Sequence, residues 1–156
     1  MIKVLNSDQS SELDILSIDN KTISENQLID NAGKATAYHI IENISDPFNK
    51  KYLCIAGVGK NGLDAIVCNY YLNLNNINSK LLIIDSKKIN FESIHKYINK
   101  KKFYTIEDTI NYQDFDWIIE GIFGTGLNRD IKGKFSKIID LNIDLGRFNP
   151  RGEFLF

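Results

Sequence analysis

The stretch from Tyr52 to Asp85 constrains the fold more than any other part of the chain. An apolar run, Tyr52-Leu-Cys-Ile-Ala56, reads as a strand; Gly57-Val-Gly-Lys-Asn-Gly62 reads as a turn; a helical repeat follows, and a second apolar run, Leu81-Leu-Ile-Ile84, ends on Asp85. Gly57, Gly59 and Gly62 fit G-x-G-x-x-G in the context that gives that pattern meaning: after a strand, before a helix, with an acid beyond the next strand. The first glycine allows a tight reversal, the second lets backbone approach a phosphate, and the third lets the helix start close to the sheet. The N–H groups that open such a helix lack intrahelical partners, so the turn presents a partial positive charge and suits an anion. Leu81–Ile84 is apolar without alternation, as a strand buried on both faces requires. The expectation is a parallel βαβ unit with a right-handed crossover.

The rest of the chain supports that unit. Leu63, Ile66, Val67, Tyr70, Tyr71 and Leu74 mark one helical face after the turn. Upstream, Leu13, Ile15 and Leu16 behind a Ser7 or Asp8 cap predict an amphipathic helix over 7–18 that packs on a neighbour. Ser24 and Gln27 form a capping-box pattern, and Leu28, Ala32, Ala35 or Thr36, and Ile40 predict the inward face of a second helix, ended at Asp46-Pro47. Gly33 inside that helix costs about 1 kcal/mol relative to Ala, which points to close helix-to-sheet contact or to a site lined by Asn31. Further on, Phe91, Ile94 and Ile98 predict a helix over 90–99 with Lys96 and Lys100 outward, and Lys100-Lys-Lys102 reads as solvated surface. Residues 103–106 are expected as an outer strand, 109–113 as a turn or half-helix, and Trp117–Gly121 as a further central strand. Phe123-Gly-Thr-Gly-Leu-Asn-Arg-Asp130 is a second glycine-rich loop, with Phe135, Ile138, Ile139 and Leu141 on a following helix.

Composition narrows the class. With 156 residues, 43% hydrophobic and 25% charged, the chain supports one compact core. Nineteen basic against 20 acidic side chains give a net charge of −1, so no global field recruits nucleic acid or a membrane surface. No apolar run approaches the roughly 20 residues that span a bilayer, and the N-terminus is too polar for a signal peptide, which makes a cytoplasmic location the expectation. Cys54 and Cys68, without a C-x-x-C, are expected as buried free thiols. His39 and His95 lie far in sequence from both loops and are not assigned to a site.

In a parallel sheet, loops at the C-terminal ends of neighbouring strands share one edge, and ligands bind where strand order reverses. The two glycine-rich loops are therefore expected to face each other, offering Lys60, Asn61, Asp64, Glu120, Thr125, Asn128, Arg129 and Asp130. A carboxylate in a partly desolvated crevice is a proton shuttle, because burial raises its pKa toward neutrality, and Glu120 and Asp64 are the candidates. Each also has a plainer reading: Glu120 as a cap on its own loop's backbone N–H groups, and Asp64 as an acid favoured by the helix dipole.

Three segments together resemble the YjeF N-terminal domain family, the NAD(P)H-hydrate epimerases. Asp30-Asn-Ala-Gly33 is similar to that family's E-N-A-G, Gly57-Val-Gly-Lys-Asn-Gly-Leu-Asp64 to G-P-G-N-N-G-G-D, and Glu120-Gly-Ile-Phe-Gly-Thr-Gly-Leu127 to D-A-L-F-G-T-G-L, in the same order and spacing. The resemblance implies a Rossmann-like three-layer αβα fold with a mostly parallel sheet over residues 1–144, including a helical part at 7–45. It implies an isomerase that interconverts the R and S epimers of C6-hydrated NADH or NADPH, so that a separate dehydratase restores the cofactor. Substrate contacts would come from Lys60, Asn61, Gly62, Leu63 and Asp64 and from Gly124, Thr125, Gly126, Leu127, Asn128, Arg129 and Asp130. One potassium ion per subunit would be held by Asn61 and Glu120; a homodimer is left open.

Departures from the family pattern qualify these expectations. Lys60 replaces an asparagine, Leu63 and Ala65 replace glycines, and Glu120 is one methylene longer than the family's aspartate. Leu63 is expected to narrow the pocket. The family's later D-x-P-S-G has no counterpart, so residues 145–156 read as a tail without a family match, with Phe148, Phe154 and Phe156 beyond a sheet that is incomplete on its C-terminal side. Two rival readings stand beside the epimerase: a catalytically degenerate scaffold module, and an NAD-dependent oxidoreductase in which Asp85 binds a ribose hydroxyl.

Overall fold

The computed structural model describes residues 6–89, 94–98, 103–124, 130–133, 135, 136 and 138. Helices α1 (Ser7–Asp19) and α2 (Glu25–Asn43) precede strand β1 (Lys51–Ala56). Helix α3 (Lys60–Leu74) connects β1 to β2 (Asn78–Ile83), and β3 (Tyr104–Thr105) and β4 (Trp117–Gly121) follow. All pairings are parallel and the strand order is β3-β2-β1-β4. The chain moves outward from β1 to β3 and then returns to the other side of β1, so strand order reverses between β1 and β4. That reversal is where an open α/β sheet leaves a crevice at its C-terminal edge.

Alternation along β1 divides the core. Tyr52, Cys54 and Ala56 face one side with Leu81, Ile83 and Ile119, under α3, α2 and Ile94 and Tyr97. Leu53 and Ile55 face the other with Leu82, Ile84 and Phe115, against Ile138 and the partly buried Ile110 and Tyr112. Burial on both faces explains why β1 is apolar from Tyr52 to Ala56, after the exposed Lys51. Cys54 and Cys68 are buried free thiols, and no helix among the described residues is long and apolar enough to cross a membrane.

The structure corrects several expectations. Helix α1 forms, capped by Asn6 rather than Ser7 or Asp8, in a capping box with Gln9. Its apolar residues do not pack, however: Leu13, Ile15 and Leu16 are about half exposed. The capping box of Ser24 and Gln27 opens α2 as expected and Ile40 is buried as expected, but the rest of the buried stripe is Ile29, Gly33 and Ala37 rather than Leu28, Ala32 and Ala35 or Thr36. Gly33 lies at a helix–helix rather than a helix–sheet contact, since a Cβ there would come within 2.5 Å of the Val67 Cβ and 2.6 Å of the Asp64 carbonyl oxygen on α3. Leu74 is exposed, while Leu72 in the same last turn of α3 is fully buried. Strand β4 is an edge of the sheet among the described residues, not a central strand. The outer strand at 104–105 and a single 3-10 turn at Tyr112–Asp114 match the expectations. Ile94 and Ile98 are buried as expected, and Lys96 is exposed. Phe91, Lys100–Lys102, Leu141 and the tail at 145–156 lie outside the described residues.

Candidate active site

The first loop is built from backbone laid on backbone. A Cβ on Gly62 would fall 2.2 Å from the Gly57 carbonyl oxygen, and one on Gly57 would fall 2.3 Å from that of Ile122. Any side chain at either place would force the helix away from the strand or the two loops apart. Gly59 caps α3 in extended conformation, with open space where a Cβ would stand. That opening is the feature a ligand's phosphate needs at the head of a helix.

The second loop is joined to the first at Asn61, whose Nδ2 donates to the Phe123 carbonyl oxygen at 2.5 Å. The Gly57 N–H donates to the Gly121 carbonyl oxygen at 3.1 Å, and Gly124 lies beside the Asn61 side chain. Glu120, half-buried at the end of β4, turns back on its own loop: Oε1 accepts from the Ile122 N–H and, at 3.2 Å, from the Phe123 N–H. The plainer sequence reading of Glu120 as a loop cap therefore describes its contacts. Burial raises its pKa above the usual carboxylate range, against the two backbone hydrogen bonds, which lower it.

Asp64 sits one turn further along α3, half-buried. Its pKa is pushed up to about 6, by burial first and then by the charge of Asp14, with Lys60 acting in the opposite sense. Asp64 lies beyond the first turn of α3, so the helix-dipole reading does not describe it. Lys60 is drawn off the loop into an exposed ion pair with Glu25 on α2, at 3.1 Å. Leu63 packs against the main core cluster, so its branched side chain is committed to the hydrophobic interior and not to narrowing a cleft. Asp130 is exposed and pairs with Lys132 at 3.1 Å. Thr125, Gly126, Leu127, Asn128 and Arg129 lie outside the described residues. Asn31 is exposed, while its neighbour Asp30 accepts from the Tyr71 hydroxyl at 3.0 Å and from the Tyr97 hydroxyl, binding α2 to α3 and to the 94–98 segment. Sequence reasoning missed Asp14 and Glu25, whose roles arise only when α1 and α2 are brought beside α3.

The YjeF-related protein N-terminus model matches residues 25–145. The chain belongs to this family. Within it, the chain is 29% identical over 141 residues to the NAD(P)H-hydrate epimerase of Oenococcus oeni, covering 87% of this chain and 66% of that protein. It is 27% identical over 128 residues to the bifunctional NAD(P)H-hydrate repair enzyme Nnr of Dictyoglomus turgidum, covering 77% of this chain and 24% of that protein. The crystal structure of yeast ynu0 superposes with a TM-score of 0.71 at 22% identity, over 89% of this chain and 64% of that one, which establishes the shared α/β fold. The chain thus spans just under two thirds of the first of these relatives and about a quarter of the bifunctional one.

The family resemblance implied a cation at Asn61 and Glu120. With Nδ2 donating to Phe123, the oxygen of the Asn61 amide and the second carboxylate oxygen of Glu120 have no partner among the described residues. Two oxygen donors on facing loops are the ligand type a hard cation takes. No cluster of three or more His, Cys, Asp or Glu residues suited to a metal occurs among the described residues.

Proposed function

We propose that this chain is an NAD(P)H-hydrate epimerase, exchanging the R and S hydroxyl configurations at C6 of hydrated NADH or NADPH. The observation that carries the reading is the meeting of two loops at the reversal of strand order, with Asn61 on the Phe123 carbonyl and a half-buried carboxylic acid on each of the elements that bear the loops, Asp64 on α3 and Glu120 on β4. The open head of α3 at Gly59 receives the pyrophosphate, where helix N–H groups offer hydrogen bonds without a repelling side chain. Asn61 and Glu120 would hold a potassium ion, which when bound supplies positive charge against the pyrophosphate.

Changing the configuration of a carbon that carries a hydroxyl beside a ring nitrogen requires a proton to move, whether water leaves and returns or the ring opens and recloses. Asp64 is suited to that transfer, because a carboxyl with a pKa of about 6 exists in both states near neutrality. Glu120 fixes the second loop through its N–H groups and so positions Phe123 and Gly124 against Asn61. Functional coupling to a hydrate dehydratase and a site in the cell's cofactor pool belong to the same proposal.

The test is direct: purified protein is given separated R and S hydrates, with and without potassium, and epimer exchange is followed by chromatography against E120A and D64N. Exchange above the uncatalysed rate that falls at least a hundredfold in D64N supports the reading. Exchange equal to the blank removes it and leaves the scaffold reading, which the engagement of Lys60 by Glu25 and of Glu120 by backbone favours. Asp85, which the oxidoreductase reading needs at a ribose, is instead paired with Lys88 at 3.5 Å.

A further inference from the structure

At the other end of α3 from the glycine loop lies a cavity of about 690 Å³ between the last turns of α3, the start of β2, the 94–98 segment and β3. We propose that it is a second ligand site, for a small aromatic anion of mononucleotide size. Asn61 and Asn73 are separated by roughly 18 Å along the helix at about 1.5 Å per residue, so the cavity is distinct from the candidate active site.

Its floor is organised rather than merely unfilled. Ser79, the one buried polar side chain among the described residues at 5% exposure, donates to Asn69 Oδ1 at 2.9 Å. Asn73 Nδ2 donates to the Ser79 carbonyl oxygen at 3.0 Å and to the Asn69 carbonyl oxygen at 2.8 Å. These bonds take up the oxygen of the Asn69 amide, and among the described residues its Nδ2 has no acceptor and is a donor for an occupant. The walls are aromatic: Tyr70 and Tyr97 stand edge to face at 5.3 Å, and Phe103 and Tyr104 complete the lining. The Tyr97 ring is fixed in place because its hydroxyl is bound by Asp30.

Charge selects the sign of the ligand. Lys80 and Lys96 line the cavity, both exposed, and no described lining residue is acidic. Asp30 stays ionised behind this wall, its pKa lowered first by the hydrogen bond from the Tyr97 hydroxyl, and it offsets part of the Lys96 charge, so Lys80 carries the more independent positive charge at the cavity. Lys96 rests over the Tyr97 ring, 4.4 Å from its centroid, so its ammonium is held at the wall where a ring and an anion would enter together. The volume falls within the range of about 300–1,000 Å³ seen for small-molecule pockets, and aromatic walls with a few placed polar groups are their usual lining.

The probe is adenosine monophosphate, titrated calorimetrically into the full chain beside adenosine and inorganic phosphate, in wild type, K80Q/K96Q and N61A. Both lysines are exposed, so K80Q/K96Q is expected to keep the wild-type melting temperature and circular dichroism. The monophosphate is expected to bind more tightly than either fragment, at least fivefold more weakly in K80Q/K96Q and within twofold of wild type in N61A. Failure of the monophosphate to bind, equal affinity for phosphate or for adenosine alone, a loss below fivefold in K80Q/K96Q, or a loss beyond twofold in N61A overturns the proposal. Because the epimer assay reads the other end of α3, its failure leaves this result unaffected, and the reverse holds.

Discussion

The two loops at the C-terminal edge of the sheet are held by different means. The first is fixed by atoms that do not titrate and cannot rotate away: Gly62 lies against the Gly57 carbonyl, and Gly57 against that of Ile122. The second hangs on side chains, Glu120 gathering the Ile122 and Phe123 N–H groups and Asn61 holding the Phe123 carbonyl. Under the proposed function, a ligand's phosphates would meet the rigid loop, whereas the loop that depends on a carboxylate and an amide is the one whose position protonation or a bound cation would alter. The division of labour is therefore between a cradle and a clamp.

Breaking the cradle should have the largest effect. G62A places a methyl group where the Gly57 carbonyl oxygen already stands, and overpacking costs about 1–3 kcal/mol, with backbone contact at the upper end of that range. Urea denaturation should show that loss, while G59A, which meets open space at the helix cap, should cost about 1 kcal/mol or less. Equal losses would mean that the glycines serve flexibility and not contact. Breaking the clamp comes next. E120A leaves the Ile122 and Phe123 N–H groups without their acceptor, a cost of about 1–3 kcal/mol. E120Q retains an acceptor oxygen and should recover most of that stability, so a Gln variant as unstable as Ala would place the charge, not the hydrogen bonds, in control.

The acid on the cradle gives a smaller, pH-dependent effect. Since burial raises Asp64 from 3.8 to about 6 in the folded chain, the fold favours the neutral acid. Its contribution is fully present below pH 3.8 and is lost as the pH rises through 6. Discounted for solvent screening, the loss is about 1–2 kcal/mol. D64N mimics the neutral acid and should match wild type at pH 4 but exceed it by that amount at pH 7.5, read as the difference in urea midpoints multiplied by the common m-value. A constant gap across the range would refute the shift. D14N should reduce the gap only in part, because burial is the larger cause.

What the sequence revealed depended on whether the signal was local. Strand β1 and the second half of β2 were legible because burial on both faces leaves an apolar run, whereas Asn78-Ser-Lys80, which opens β2, is polar and was missed; the start of α2 was legible because Ser24 and Gln27 satisfy each other three residues apart. The inward face of α2 was misplaced because its closest contacts are Gly33 and Ala37, small residues chosen for room and silent in hydropathy. In α1, the apolar spacing of Leu13, Ile15 and Leu16 carried no information about a neighbour, and among the described residues they stay about half exposed. At the site, the glycine pattern announced the first loop and the parallel-sheet reading set the second opposite it, but the Asn61 bond to the Phe123 carbonyl that joins them had no sequence signal. Asp14 and Glu25 were invisible, since no spacing in the chain records that α1 brings a charge toward Asp64 or that α2 takes Lys60.

That last pairing supplies the smallest prediction and the sharpest division between the loops. Lys60 stands where the family carries asparagine, and a lysine aimed into the cleft would compete with any cation held by Asn61 and Glu120. Its ammonium lies instead 3.1 Å from Glu25, with both side chains more than half exposed, so the pair contributes at most about 0.5 kcal/mol and is screened by salt. K60N should therefore change stability by no more than that, and the difference should vanish in 0.5 M sodium chloride. If epimer exchange responds to potassium, K60N should leave the half-saturating potassium concentration within twofold of wild type. A marked tightening would mean that Lys60 returns to the cleft when substrate or cation is present, and that the cradle, too, carries a movable charge.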